Sequence, residues 1–507
     1  MRVKRYSGWV VVLAMLASVR LVAGAADNRL IDAVRSKNKD AVSSLLKQRI
    51  DVNVAQPDGG TALHWAAHWD DPDTLDLLIR AGANVNATNE LGATPLWIAS
   101  AQGSAAMVER LLNAGANPNV ALLEGETPLM AASHAGSVQA VKSLLAHGAD
   151  VNAKERLRGQ TALMWAAAQE HRDVVQALLE LKADVTARTG VRTMVVNAGN
   201  QGGGANNVSD RYNPGGVMDE RQGGFTPLLF AAERGSVESA KLLLNAGANV
   251  DDAAANGASA VVIAAHSGHT ALAEFLLDKG ANANAAGAGY TALHAALLRG
   301  DSDLVKALLA HGADPNIPLV KGTPVRRSSV DWALNFSWVG GSPIWLAAKF
   351  GDPEMMRALA AAGGNATTAL KDGTTPLMAA LGGGQGGGQG TDRRSRFGLS
   401  PLSPEEAELA TLDTVKTALD LGNDVNAVNQ AGDTALHTAA GAGLDSVIKL
   451  LVDRGAKLDV KNQKGQTPLQ VAAGPPAAGG GVNNNANDAG RGRKSTVELL
   501  RKLGAQE

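Results

Sequence analysis

A chain of 507 residues is too long for one ordinary hydrophobic core, so it folds as several domains or as one repeat array. A formal charge of −2 lacks the basic excess of a nucleic-acid binder, and the absence of cysteine excludes disulfides, thiolate zinc sites, iron–sulfur ligation and a lipoprotein anchor. Hydrophobic residues make up 45% but aromatics only 3%, so the apolar surface suits closely stacked helices rather than a β-sandwich, which favours bulky strands.

In chain order, residues 1–25 read as a secretory signal peptide. Arg2, Lys4 and Arg5 form a positive n-region. Trp9 to Val19 is an apolar run too short to span a bilayer comfortably. Ala23-Gly24-Ala25 is a small-x-small cleavage site, after which Ala26 begins the mature chain. Cleavage removes Arg2, Lys4, Arg5 and Arg20 and no acid, which takes the formal charge from −2 to −6. No later stretch is apolar for 18 residues, so no membrane span is expected after signal removal, and the protein is expected to be periplasmic or secreted.

The rest is repetitive. Thr-(Pro/Ala)-Leu or a close variant begins at Thr61, Thr94, Thr127, Thr161, Thr226, Ser259, Thr291, Ser342, Thr375, Thr434 and Thr467, with 32 to 34 residues between seven of the ten neighbouring pairs. About 20 residues after each comes a second pattern, as in Ala81-Gly82-Ala83-Asn84-Val85-Asn86 and His147-Gly148-Ala149-Asp150-Val151-Asn152. A degenerate first unit runs from Asp27 to about Gly59.

One unit explains its own shape. Thr127 can cap a helix with its hydroxyl, and Pro128 sits at the first helical position, where its missing N–H costs nothing. Leu129, Ala131 and Ala132 give a small-faced helix that Gly136 ends. A second helix from near Ser137 carries Val138, Val141, Leu144 and Leu145 at helical spacing. Gly148 supplies the left-handed residue that stops it, and Ala149 to Gly159 makes an extended turn back. One such pair cannot bury its apolar face alone, so neighbours must stack.

The two linked patterns resemble the ankyrin repeat, a 33-residue unit with a T-P-L-H-x-A core. The resemblance implies an all-α solenoid of about 12 helix-turn-helix repeats with β-turn or hairpin connections, which bind proteins through a concave face and turn tips. In that family the motif histidine bonds within and between repeats. It is present here at His64, His294 and His437, and replaced by Trp97, Met130, Met164, Leu229, Val262, Trp345, Met378 and Gln470.

Four insertions break the period. The repeat blocks are 26–187, 224–316, 342–380 and 405–473. The insertions are 188–223, 317–341, 381–404 and 474–493, and a C-terminal helix is expected over 494–507. The runs Gly382–Gly390 and Gly474–Gly490 are Gly/Gln/Asn-rich and expected to be flexible. A phosphate-loop reading fails because no G-K-[ST] follows. The other two insertions carry Val191, Met194, Tyr212 and Met218, and Trp332, Phe336 and Trp338. Such residues fit loops that fold back on the array or contact a ligand.

The function expected is protein–protein recognition. The residues just after each motif's Ala-Ala face the groove in the family, which puts His68, Trp69, Gln102, His134, Glu233, Arg234, Arg299, Lys349 and Phe350 there, with Trp332 and Trp338 on a projecting loop. Aromatic residues and arginine dominate interface energetics, so Trp69 and Phe350 are candidate anchors. The alternative is a constitutive scaffold or accessory subunit of an exported enzyme complex. Catalysis lacks the required groups: there is no cysteine, no H-E-x-x-H and no G-x-S-x-G, and the ten histidines are dispersed. No cofactor or metal is expected. Arg299-Gly300-Asp301 spells an integrin-type tripeptide, but Gly300 is the repeat's ordinary turn glycine.

Overall fold

The computed structural model describes residues 27–197, 217–323, 334, 336–382, 403–474 and 486–506. The signal-peptide reading, Tyr212, Trp332 and most of both Gly-rich runs lie outside them. Among the described residues there are 24 α-helices and one two-stranded sheet. The chain divides into two units: Gly223–Ala254 joins the chain up to Val191, and Arg192–Gln222 joins the chain from Ala255 onward.

The first unit contains six helix pairs. They are α1 (Arg29–Arg35) with α2 (Lys39–Lys47), α3 (Ala62–His68) with α4 (Pro72–Arg80), and α5 (Pro95–Ala101) with α6 (Ala105–Asn113). Then come α7 (Pro128–Ala135) with α8 (Val138–Ala146), α9 (Ala162–Ala168) with α10 (Arg172–Glu180), and α11 (Pro227–Arg234) with α12 (Val237–Asn245). The second unit has α13 (Ala260–Ser267) with α14 (Thr270–Asp278), α15 (Ala292–Arg299) with α16 (Ser302–Ala310), and α17 (Pro343–Lys349) with α18 (Pro353–Ala361). It ends with α19 (Pro376–Leu381) and α20 (Pro404–Asp420), α21 (Ala435–Ala442) and α22 (Asp445–Asp453), and α23 (Pro468–Ala473) and α24 (Ala486–Lys502). The helical solenoid expected from the period is therefore the fold.

Within each unit first helices stack on first helices and second on second, giving two layers. Few of these helices exceed nine residues, too short to stand alone in water, so packing holds them. The local chemistry is as the sequence suggests. The Thr127 hydroxyl accepts the Met130 amide at 3.3 Å, Gly136 ends α7 at φ +78°, and Gly148 lies at φ +84° beyond α8. Ala140, Val141 and Leu144 are fully buried between the layers.

The motif histidine does two jobs. His64 Nδ1 accepts the Thr61 amide at 3.1 Å, closing a cap on α3, and its Nε2 donates to the carbonyl of Ala93 in the next repeat at 3.0 Å. His437 does the same toward Gln466 at 3.1 Å. Where other residues replace it the jobs divide. Trp345 keeps the bond between repeats, from its indole to the Thr374 carbonyl at 3.0 Å, and Gln470 keeps the cap.

The turns carry an asparagine ladder. Asn119 donates to the Gly148 carbonyl at 2.9 Å and accepts the Asp150 amide at 2.8 Å, and Asn53, Asn86 and Asn284 bridge their neighbours the same way. Asn119→Ala is expected to cost about 1–2 kcal/mol through loss of both bonds. The check is the denaturation midpoint, with Asn119→Asp retaining the acceptor and losing less. An unchanged midpoint for Asn119→Ala would show that water replaces the ladder at no cost.

The insertions differ in kind. The first forms β1 (Val191–Asn197) and β2 (Val217–Gly223), a strand pair added to an otherwise all-α fold. Its base is held by Arg188, which donates to the Gly224 and Ala253 carbonyls and pairs with Asp252 at 2.7 Å. The second is tied at its neck: Leu319 and Gly341 pair through the backbone, as do Thr323 and Leu334. Leu319, Leu334 and Trp338 are buried, so the described part folds back on the repeats. The Gly-rich insertions fall between the two helices of one repeat. The last helix starts earlier than the expected 494: α24 begins at Ala486, inside the Gly/Asn-rich run. No helix among the described residues is long and apolar enough to cross a membrane.

Candidate functional site

From Ala62 on, every first helix begins one residue after its motif Thr or Ser, so the residue after its last alanines recurs once per repeat on the edge of the first-helix layer. In the first unit this row opens on an aromatic patch. Trp65 is buried and anchored by a 3.0 Å bond from its indole N–H to Gln56 Oε1. Trp69 stacks on it at 6.3 Å between ring centres and is 37% exposed. The His68 ring lies 4.6 Å from Trp69, and Lys37, in the tight turn between α1 and α2, places its ammonium 4.4 Å above the Trp69 ring. Such a cation–π contact favours this orientation of the indole. Burial lowers the His68 pKa, and the Lys37 charge lowers it further.

Gln102 caps the end of α5 and is exposed. His134 is half-buried and meets Trp165 edge-on at 5.0 Å. The His171 ring donates to the His134 backbone carbonyl at 3.0 Å. Burial lowers the His134 pKa, with a smaller push from His171. The Nδ1 atoms of His68 and His134 are buried and have no hydrogen-bond partner among the described residues. Glu233 and Arg234 end α11 half-buried.

The second unit treats the equivalent positions differently. Arg299 Nε donates to the His266 carbonyl at 2.7 Å, and its guanidinium lies against Gly268, where a Cβ would stand 2.5 Å from Nη1. Asp301 caps α16 through the Leu304 amide and accepts from Thr270. The Arg-Gly-Asp tripeptide is thus committed to repeat packing. Lys349 Nζ donates to the Gly382 carbonyl at 3.0 Å, where α19 ends, and burial pushes its pKa down. Phe350 meets Trp338 edge-on at 5.5 Å.

The structure therefore brings His68 and Trp69 together, sets Gln102 and His134 further along the same row, and packs Trp338 against Phe350. Trp332 lies outside the described residues. Lys37, Trp65 and Trp165 were not among the candidates read from sequence. Trp65 and Trp165 occupy the same place after the motif threonine, a regularity that could have flagged them; Lys37 sits in a degenerate unit with no comparable cue.

The match to a family model agrees with this architecture. A family model described as "Ankyrin repeats (3 copies)" matches residues 30–122, 115–189, 228–318 and 407–476, more than half of the chain. No curated protein sequence matches. The crystal structure of the human ASB11 ankyrin repeat domain is similar at 27% identity, covering 49% of this chain and 96% of that one, with a TM-score of 0.39. With its repeat period, capped helix pairs and family match in agreement, the chain belongs to the ankyrin-repeat family.

Proposed function

We propose that this protein is a non-catalytic binding array of the cell envelope or the space beyond it, which takes a protein partner on the row at the ends of its first helices. Ankyrin repeats generally mediate protein–protein interaction. The observation that carries the reading is the row of His68, Trp69, Gln102 and His134, where a part-exposed indole is stacked on Trp65 and covered by the Lys37 ammonium. Partly exposed aromatic side chains of this kind supply the anchors of a binding surface. Export is supported by the basic n-region, apolar run and Ala-Gly-Ala site of residues 1–25.

The immobilised mature chain is expected to retain a protein from its native envelope fraction. Trp69→Ala is expected to weaken that capture by at least about tenfold, the effect of losing a central aromatic anchor. Phe350→Ala is the contrast, since that ring packs on Trp338. Equal capture by wild type and Trp69→Ala would remove this row from the interface.

A further inference from the structure

The turn tips of the first unit form a surface distinct from the helix-end row. Adjacent tips are joined edge to edge by backbone hydrogen bonds: Glu90 to Asp58 at 2.8 Å, Leu123 to Leu91 at 3.0 Å, Arg156 to Glu124 at 2.7 Å, and Gly190 to Arg158 at 2.7 Å. Each tip from the second onward presents an apolar residue to solvent. Leu91 is 38% exposed, Leu123 63%, Leu157 66% and Val191 49%. Single exposed leucines are ordinary, but a row on a hydrogen-bonded edge is a contiguous apolar strip.

The charges beside the strip are ordered. Asp58, Glu90 and Glu124 occupy the first three tips, and Arg156 and Arg158 occupy the fourth. None of these five makes an ion pair among the described residues, and all but Asp58 are exposed. The strip is acidic at one end, basic at the other and apolar from the second tip onward.

We propose that this edge is the contact between two copies of the chain. A surface that runs from acid to base is complementary to itself under a two-fold axis. With the axis between the third and fourth tips, Leu123 meets Leu157 of the second copy, and Glu124 faces Arg156 and Arg158 of the second copy. Leu91 then falls toward Val191 of the second copy, and every contact occurs twice. An anionic bilayer is a poorer occupant, because three acids line half of the edge.

Sedimentation velocity of the full chain across a wide dilution series tests this. The wild type is expected to dimerise. Glu124→Arg is expected to weaken the dimer by at least about tenfold, because it sets like charges face to face, and Arg156→Glu with Arg158→Glu is expected to do the same. Mixing those two variants is expected to restore dimers, since one chain then carries arginine at 124, 156 and 158 and the other carries glutamate at all three. Circular-dichroism melting confirms that each variant is folded. A wild type that stays monomeric throughout, or a mixture that associates no better than its components, overturns the proposal. The Trp69 capture experiment reads a different surface, so each can fail alone.

Discussion

Leu144→Ala is expected to lower stability by about 2–5 kcal/mol, the range for removing a buried leucine side chain and leaving a cavity. Leu144 is fully buried in α8, which packs on α7 in its own repeat and on α6 and α10 in its neighbours. A cavity there weakens the three main helix contacts of a nine-residue helix. Because each repeat touches only its neighbours, the loss is local. Hydrogen exchange should show faster opening of α8, α6 and α10, with little change at α1. Leu145→Ala, at a half-buried position, is expected to lose less. Unchanged exchange in Leu144→Ala would show that Leu144 is not a core contact.

Acid is expected to open the repeat containing His294. Its ring is fully buried, its Nδ1 accepts the Thr291 amide at 3.2 Å, and its Nε2 faces the Gly341 carbonyl beyond hydrogen-bonding geometry. Burial pushes its pKa down to about 4, against an ordinary value of 6.5. The fold therefore favours the neutral ring, and between pH 6.5 and 4 the unfolded chain binds more protons. The stabilisation is complete above pH 6.5 and is lost as pH falls toward 4, by about 3 kcal/mol for a shift of this size. Hydrogen exchange at α15, followed as pH falls, measures it. His294→Gln, which keeps a capping acceptor as Gln470 does, is expected to flatten the profile. A profile unaltered by that change would assign the acid sensitivity elsewhere. Glu126 works in the opposite sense. Its carboxyl is pushed up to about 7 by burial and by the nearby carboxylates of Glu124 and Glu155. That contribution falls as pH rises from 4.5 through 7, and it belongs to the turn at 122–126 in the other unit, so local exchange separates the two.

Much of the fold was legible because its signals are short-range. A threonine hydroxyl caps an amide three residues on, a proline suits the first helical turn, and a glycine adopts positive φ where other residues strain. Each needs only a few neighbouring residues, so Thr127, Pro128, Gly136 and Gly148 could be placed from the chain alone, and their repetition gave the stacking. The groove row was legible as positions but not as contacts. Phe350 reads as a free anchor until the insertion brings Trp338 back onto it. Lys349 reads as a surface charge until α19 ends beneath it.

The sequence by itself determined the repeat, its caps and turns, the absence of cysteine chemistry and the positions of the interruptions, because all of these follow from residue type and spacing. Only the tertiary structure decided which of those residues remain available. It placed Lys37 over Trp69, formed strands from residues 191–197 and 217–223, bound the Arg299-Gly300-Asp301 tripeptide into repeat packing, and lined up Leu91, Leu123 and Leu157 along one edge. These depend on groups that the chain separates by tens of residues and that stacking alone makes neighbours. Whether a side chain spends its surface on a partner or on its own fold is set by those neighbours.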